Sequence, residues 1–530
     1  MLNNELIMQT SAEACTQIAS YFDVVDNCVS MSDTNKQYSI NPQTSYSPSP
    51  PIQQGSYTSV IISPNSHNTA DIYNGFIKAS MKIKVNINEN LATSANVDGY
   101  RFNRIWYGFK DARDAVEKYE IVANGITIYT QNFGCEESFL TACCANETTK
   151  RADIYSRARH KDVWNKKEGC RCGFIVNWDN KTVAEDTIHL KIDLRRFLPL
   201  SNIKYLPAFA GKIELRLYFS CAGLVYCPVG PARDLKNNPG VFCKYTFEKI
   251  TNEFTPIGDS ITCWIKSTAA GTSPNQTYTL NAGTRTSNVV EYTITDCLSI
   301  IPCFGISDNV YSSLVQRYSN PSSPLTFPTQ TLSVYTTTNA LKNINDKTTC
   351  TITPRFVDSI FCLFPLHNRH KTVFKNPLFD SFYINAGGYG NIPARPFGTN
   401  EQYPEFLEYC QNAMNMNGEQ SGFNKEVVAS LTNITAYNAT LSNHPDDRTS
   451  FFIGLPTETD NTYQQGLTSL SPINFEINVS QKTGNNTFAD EVDTPPLLCL
   501  LYDGSISILV QPNGMPPLVR IGNYDITSPE

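Results

Sequence analysis

The clearest order in this chain is an alternation of apolar and polar positions. In Met81-Lys82-Ile83-Lys84-Val85-Asn86-Ile87 the odd positions are apolar and the even ones polar, which turns one face of an extended strand to a core and the other to solvent or a partner. The period of two returns in Ile188-His189-Leu190-Lys191-Ile192-Asp193-Leu194, Ile213-Glu214-Leu215-Arg216-Leu217, Ile473-Asn474-Phe475-Glu476-Ile477-Asn478-Val479 and Ile506-Ser507-Ile508. Between these stretches stand turn signals: Ala123-Asn124-Gly125, Lys236-Asn237-Asn238-Pro239-Gly240, Asn385-Ala386-Gly387-Gly388 and Pro512-Asn513-Gly514. Strands at both ends of the chain, long loops and no regular crossover helices predict an all-β sandwich class rather than α/β.

Helical spacing is scarce. Ile7, Cys15, Ile18, Phe22 and Val25 predict a short amphipathic helix within residues 2–30. Residues 31–66, rich in Ser, Asn, Gln, Tyr and Pro and including Ser47-Pro48-Ser49-Pro50-Pro51, read as an extended arm without its own core. Two further short helices are predicted over Lys110–Tyr119 and Pro404–Met414, the second with Phe406, Leu407 and Cys410 on one face. The Ser/Thr-rich stretch Ser267–Ser287, with Gly271, Pro274 and Gly283, predicts a boundary or a long exposed loop. The expected organisation is an arm over residues 1–70, one β unit over 71–288 and a second over 289–530.

Composition narrows the function. Of 530 residues 41% are hydrophobic and 17% charged, below the roughly 25% charged fraction of an average soluble domain, so the surface is rich in Asn, Thr, Ser and Tyr and suits contact with other protein. The formal charge is −7, and the first basic residue is Lys36. No polybasic arm is therefore available to neutralise phosphates, and sequence-specific nucleic-acid binding is not expected. A basic cluster does run from Lys150-Arg151 through Arg157–Lys161 to Lys166-Lys167 and Arg171; it reads as a solvated loop, with an inter-subunit patch as the alternative. Apolar runs such as Leu497–Leu501 fall far short of the ~18 residues a membrane helix needs, so no transmembrane segment is expected. Met1-Leu2-Asn3-Asn4-Glu5 has neither a basic nor a continuous apolar region, so no signal peptide is expected and the seven Asn-x-Ser/Thr triplets are read as unglycosylated. The 17 cysteines, odd in number and without framework spacing, are read mostly as free core thiols.

Candidate chemistry is weak throughout. The only Gly-Lys, Gly211-Lys212, runs into Ile213 instead of the Ser or Thr of a phosphate loop, and Gly387-Gly388-Tyr389-Gly390 reads as a turn. No Gly-x-Ser-x-Gly elbow or His-Glu-x-x-His segment occurs. His367 and His370 stand three apart, but Arg369 and Lys371 beside them argue against a cation, and they read as solvated loop histidines. Cys143-Cys144 and Cys170-Arg171-Cys172 lack the two-residue gap that lets paired thiolates embrace zinc. No catalytic, cofactor-binding or metal-ligating residue is assigned, and no cofactor is expected.

Four stretches together resemble a known family. They are Ile188–Leu200 through Leu206-Pro207 and Phe209 into Lys212–Phe219; Val289–Ile301 followed by Leu325-Thr326-Phe327 and Leu332-Ser333-Val334; Thr351–Leu366 followed by Phe379–Asn385, Ile392–Pro396 and Pro404–Cys410; and Ile473–Val479 with Leu497–Tyr502, Gly504–Val510 and Asn513-Gly514-Met515. In order and spacing they resemble double jelly-roll major capsid proteins, most closely those of Polinton/Maverick-type elements and of adintoviruses, virophages and adenovirus hexons. The first stretch resembles the paired strands that close the first barrel, the second the passage into the second barrel, and the fourth the paired strands that end the chain. The N-terminal arm is longer than the family pattern, and Ser267–Ser287 has no counterpart in it.

The resemblance implies two tandem eight-stranded jelly-roll barrels with long loops and an N-terminal arm. It further implies a non-enzymatic capsid subunit of the virion, made and assembled inside the host cell. Homotrimers would form pseudo-hexagonal capsomers that contact neighbouring capsomers and a penton or minor capsid protein, in an icosahedral shell around double-stranded DNA. Two other classes stay open on the residues alone: a β-sandwich attachment or glycan-binding protein of a virion, and a glycosidase using two carboxylates about 5–10 Å apart in a groove.

Overall fold

A computed structural model of the chain describes residues 56–64, 68–88, 112–143, 183–220, 280–321, 323–341, 346–365, 381–397, 452–457, 466–480, 494–511 and 515–522, with a few short strands and single positions elsewhere. Sixteen strands make two units with the same internal wiring. In the first, β1 is Asn41–Tyr46, β2 Tyr57–Ile61, β3 Phe76–Asn88, β4 Val116–Ala123, β5 Ile126–Gln131, β6 Val183–Asp193, β7 Ile213–Phe219 and β8 Leu280–Phe304. In the second, β9 is Leu325–Thr336, β10 Lys347–Ile352, β11 Val357–Leu363, β12 Ser381–Ala386, β13 Asn391–Phe397, β14 Phe452–Pro456, β15 Ile473–Ser480 and β16 Leu497–Leu509.

All pairings are antiparallel and nested. The innermost hairpin β4–β5 is enclosed by β3 with β6 in one sheet and β2 with β7 in the other, and β1 with β8 lies outermost. The two sheets are therefore built on β1-β8-β3-β6, to which four further strands (Ile52–Gln53, Thr69–Asp71, Tyr205–Pro207 and Ile261–Lys266) add, and β2-β7-β4-β5. The second unit repeats the scheme as β9-β16-β11-β14 and β10-β15-β12-β13. This order is a jelly roll, a long antiparallel hairpin rolled into two facing sheets. The chain is a double jelly roll.

Alternation supplies the cores. Along β7 buried and half-buried residues alternate without a break, and Leu215 and Leu217 meet Ile77, Ala79, Met81, Leu190 and Tyr292 in the first core. Ile360, Cys362, Ile384, Phe475, Ile477 and Leu500 fill the second. The β4–β5 hairpin turns at Asn124 (φ 51°) and Gly125 (φ 87°), the left-handed pair that matches the twist of the flanking strands.

Both jelly rolls point the same way. Strand β8 ends at Phe304, where Asn68 Nδ2 donates to the Ile306 carbonyl at 2.8 Å. A connecting helix (Asp308–Tyr318) then leads into β9 at this same end. Here too the β4–β5 turn of the first unit reaches the chain beyond β16, with Asn124 Nδ2 donating to the Pro517 carbonyl at 2.9 Å. Tyr21 and Val25, both buried on helical backbone, dock at this end, Tyr21 edge-on to Tyr318 and Phe327 at 6.4 and 6.1 Å between ring centres.

Several expectations are corrected. Strands β1 and β2 lie inside the segment expected as an arm, and β8 runs straight through the expected boundary at 288/289. The arm's Ser- and Pro-rich composition hides strands, and the second half of β8, from Tyr292, completes the first core. The passage between the units is 305–324. Residues 280–287 of the expected loop belong to β8: 280–285 pair with Ile261–Lys266, Thr284 facing Thr262, and Thr286 and Ser287 pair with Asn88 and Ile87 of β3. The helix expected over Lys110–Tyr119 is a 3-10 turn, Ala112–Ala115, followed by β4. Neither β6 with β7 nor β15 with β16 forms a pair: each couple crosses from one sheet to the other. The expected segment Pro404–Met414, the basic cluster 150–171, His367, His370, Cys144, Cys170, Cys172, and the turns at 236–240 and 512–514 lie outside the described residues.

Candidate functional site

The most concentrated chemistry lies where the two jelly rolls meet. Directly after β5 the chain forms helix α1 (Gly134–Cys143), opening with Glu136 and Glu137 in its first turn, where a helix favours negative charge. Gly134 is required there, because a Cβ would stand 2.5 Å from the Val116 carbonyl oxygen. The helix lays Phe139 and Leu140 on the outer face of the second unit's sheet, among Phe361, Leu363, Phe452, Cys499 and Leu501. Phe374 packs tilted against Phe139, with 4.4 Å between ring centres and 54° between ring planes. Each such buried side chain contributes roughly 1.5–3 kcal/mol, so the contact is a core of its own.

Beneath the helix lies a buried ionic cluster. Arg113 Nη2 stands 3.5 Å from Glu137 Oε1, both side chains fully enclosed. Arg113 Nη1 donates to the carbonyls of Val116 and Gly134 at 2.9 and 3.2 Å, and its guanidinium packs over the rings of Phe197 and Tyr119 at 4.4 and 4.8 Å. The Glu137 carboxylate accepts from Tyr119 Oη at 3.0 Å, Gln131 Nε2 at 2.9 Å and the Leu198 amide at 3.2 Å. Gln131 Nε2 also donates to the Leu332 carbonyl of β9 at 2.8 Å, carrying the network into the second unit. Burial pushes the Glu137 carboxyl up, against the pull of Arg113. Glu136 is pushed up to about 6 by burial, with Lys371 at 3.5 Å holding it down.

A second acidic group occupies the second unit. Asp358 Oδ2 accepts from Gln330 Nε2 at 2.8 Å and Asp358 Oδ1 from Ser359 Oγ at 3.0 Å, while Asp503 Oδ1 lies 3.5 Å from the same Gln330 amide. Burial, and then the Asp503 charge, raise the Asp358 carboxyl to about 6. Between β5 and β9 a shallow open groove of about 410 Å³ is lined by Tyr129, Asn132, Thr331, Ser333 and Ile521.

These groups brace one another. Glu137 is saturated by donors, and among the described residues no set of three His, Cys, Asp or Glu side chains is grouped as a metal site. Of the histidine-containing run singled out in the sequence only Lys371 is described, as the partner of Glu136. The junction residues Arg113, Tyr119, Gln131, Glu136 and Glu137 escape motif searching because they gather from a turn, two strands and a helix. The one local signal is two acids directly preceding Ser138-Phe139-Leu140.

No family model and no curated protein matches the chain. Among solved structures, PBCV-1 Vp54 fitted into a reconstruction of the virophage Sputnik aligns at 8% identity over 92% of this chain and 98% of that one, with a TM-score of 0.48. The cryo-EM structure of the Sputnik virophage aligns at 12% identity over 91% and 89%, with a TM-score of 0.47. The mavirus major capsid protein aligns at 11% identity over 92% and 90%, with a TM-score of 0.45.

Proposed function

We propose that the chain is the major structural subunit of a viral capsid, without catalytic activity. The observation that carries this reading is the repetition of one complete jelly roll beside another with the same polarity, joined by unlike surfaces. The helix-bearing edge of the first unit covers the outer sheet face of the second, which is a heterologous contact. Such a contact, repeated between copies, closes into a ring when the rotation permits. Three two-unit chains then give six jelly rolls in a pseudo-hexagonal homotrimer, a block able to tile an icosahedral shell around double-stranded DNA, with a penton or minor capsid protein at the special positions. The reading agrees with the resemblance to double jelly-roll major capsid proteins found in the sequence.

Light scattering and negative-stain microscopy of the purified protein test it. A species of three times 59.1 kDa seen as hexagonal blocks is the expected result. A stable monomer at all concentrations would sink the proposal and shift the weight to an attachment protein, for which glycan binding is the next measurement.

A further inference from the structure

At the connecting end the two jelly rolls share an occupant that belongs to neither. Of the first forty residues the structure describes Tyr21 and Val25, four apart on helical backbone and so on one face of the turn. Both are buried, in one cluster with Leu314 and Tyr318 of the connecting helix, Leu325 and Phe327 of β9, and Ile506 and Ile508 of β16. A helix satisfies its own backbone groups, so what this segment brings to the body of the protein is side chains.

The place it fills is an aromatic socket built from three parts of the chain. Phe209 comes from the 3-10 turn that precedes β7 in the first unit, Tyr311 and Tyr318 from the connecting helix, and Phe327 from β9 of the second unit. Tyr21 meets Tyr318 and Phe327 edge-on, the arrangement in which the positive edge of a ring faces the negative face of another. Burial, and then the neighbouring Tyr318, Tyr311 and Tyr205, push the Tyr21 hydroxyl well above its ordinary range.

The walls of the socket also pack on one another. Phe209 lies against both Tyr311 and Tyr318 with 6.0 Å between ring centres, and Tyr205 meets Phe304 edge-on at 5.4 Å. No sheet of either unit includes the Tyr21 segment. Residues 26–40, fifteen in number, stand between Val25 and the start of β1, a length that can reach roughly 50 Å. The covalent link therefore does not dictate the position of Tyr21; the socket does.

We propose that the segment carrying Tyr21 and Val25 is a strap, a tethered ligand for this socket, whose docking fixes the two jelly rolls relative to each other at the connecting end. It docks last, because the socket needs a turn of the first unit, the connecting helix, and both the first and the last strand of the second. Undocked, the units keep the α1 contact and the passage 305–324 but lose the ring contacts that tie Phe327 and Tyr318 to Tyr21. The strap acts within one subunit and goes beyond the capsid reading without depending on it.

Hydrogen exchange of the full chain, read by mass spectrometry, tests this. Losing the burial and ring contacts of Tyr21 is expected to open the strap roughly 10–100-fold more often. Tyr21→Ala should therefore speed exchange through residues 21–25 by that factor while β7 and β15 keep their wild-type protection. The synthetic peptide Glu13–Ser30 should bind the Tyr21→Ala chain, and should bind the unaltered chain about tenfold more weakly or worse, because the tethered segment competes at a high effective concentration. Unchanged exchange in Tyr21→Ala overturns the proposal, since the socket contact then does not hold the segment. Loss of protection in β7 overturns it from the other side, by making Tyr21 an integral part of the first core. A peptide that binds neither chain, or both equally, shows that no exchangeable site exists. A chain that never forms trimers would sink the capsid reading and leave each of these outcomes as it stands.

Discussion

Arg113 and Glu137 face each other at 3.5 Å with no solvent on either side chain, one contributed by a 3-10 turn and the other by a helix opening twenty residues later. A buried pair of this kind is weak evidence for net stabilisation, because desolvating both charges offsets their attraction. Its removal in halves is costly. Glu137→Ala removes the carboxylate that faces the enclosed guanidinium and is expected to lower stability by about 3–5 kcal/mol in urea unfolding. Replacing both partners, Arg113→Met with Glu137→Leu, is expected to cost less than the sum of the single changes, and strict additivity would show that they are not coupled.

Phe139 makes a different prediction, because it joins the units. Phe139→Ala removes a fully buried ring from the apolar patch over β11 and β16 and is expected to cost about 3–5 kcal/mol. The loss falls on the junction, leaving both jelly-roll cores intact. Differential scanning calorimetry should therefore show the transition broaden or split, whereas a single sharp peak shifted downward would mean that the two units remain one cooperative block.

The raised carboxyls set a pH dependence with a definite sign. Asp358 moves from an ordinary 3.8 up to about 6 and Glu136 from 4.5 up to about 6, burial being the first cause of each. When the folded pKa lies above the unfolded one, the unfolded chain releases its proton first, so stability falls as pH rises from about 4 to about 6 and levels off above. For these two groups acidification toward pH 5 is stabilising. Asp358→Asn is expected to gain about 1–3 kcal/mol at pH 7.5 relative to wild type and nothing at pH 4, measured by urea melts at both values. A gain that is the same at both pH values would refute the assignment.

Two glycines near the connecting end separate strain from crowding. Gly125 has φ 87° with nothing within 4 Å of its virtual Cβ, so Gly125→Ala is expected to cost only the left-handed penalty of about 1–2 kcal/mol. Gly211, at φ 78°, would place a Cβ 2.4 Å from Asn124 Oδ1 and 2.8 Å from the Pro517 ring. Gly211→Ala therefore carries the same penalty and also displaces the Asn124 side chain that links the units, so its melting temperature should fall well below that of Gly125→Ala.

Much of this architecture is legible in the sequence wherever a strand has one wet and one dry face. Met81–Ile87, Ile213–Leu217 and Ile473–Val479 all lie within strands, and in the last two buried positions alternate with more exposed ones along the strand. Legibility fails where both faces are covered. Strand β11 is buried at every position from Val357 to Leu363, since α1 lies on its outer side, and its run carries no period. Lys110–Tyr119 misleads because Arg113 and Asp114, the polar breaks in the run, are buried at the junction. Partnership between strands is also hidden: β6 and β7 follow one another in sequence, yet the nested scheme sends them to opposite sheets.

That nesting has a consequence in time. Strand β1 at Asn41–Tyr46 waits for its partner β8 at Leu280–Phe304, so as the chain leaves the ribosome the first jelly roll cannot shut until more than half the protein has been made. Until then the edges of β3 and β1 that β8 will occupy stand open to other strands. A fragment ending at residue 266 is expected to collect in the insoluble fraction, while one ending at residue 320 should be at least partly soluble; equal solubility of the two would show that closure by β8 does not govern the fate of the nascent chain.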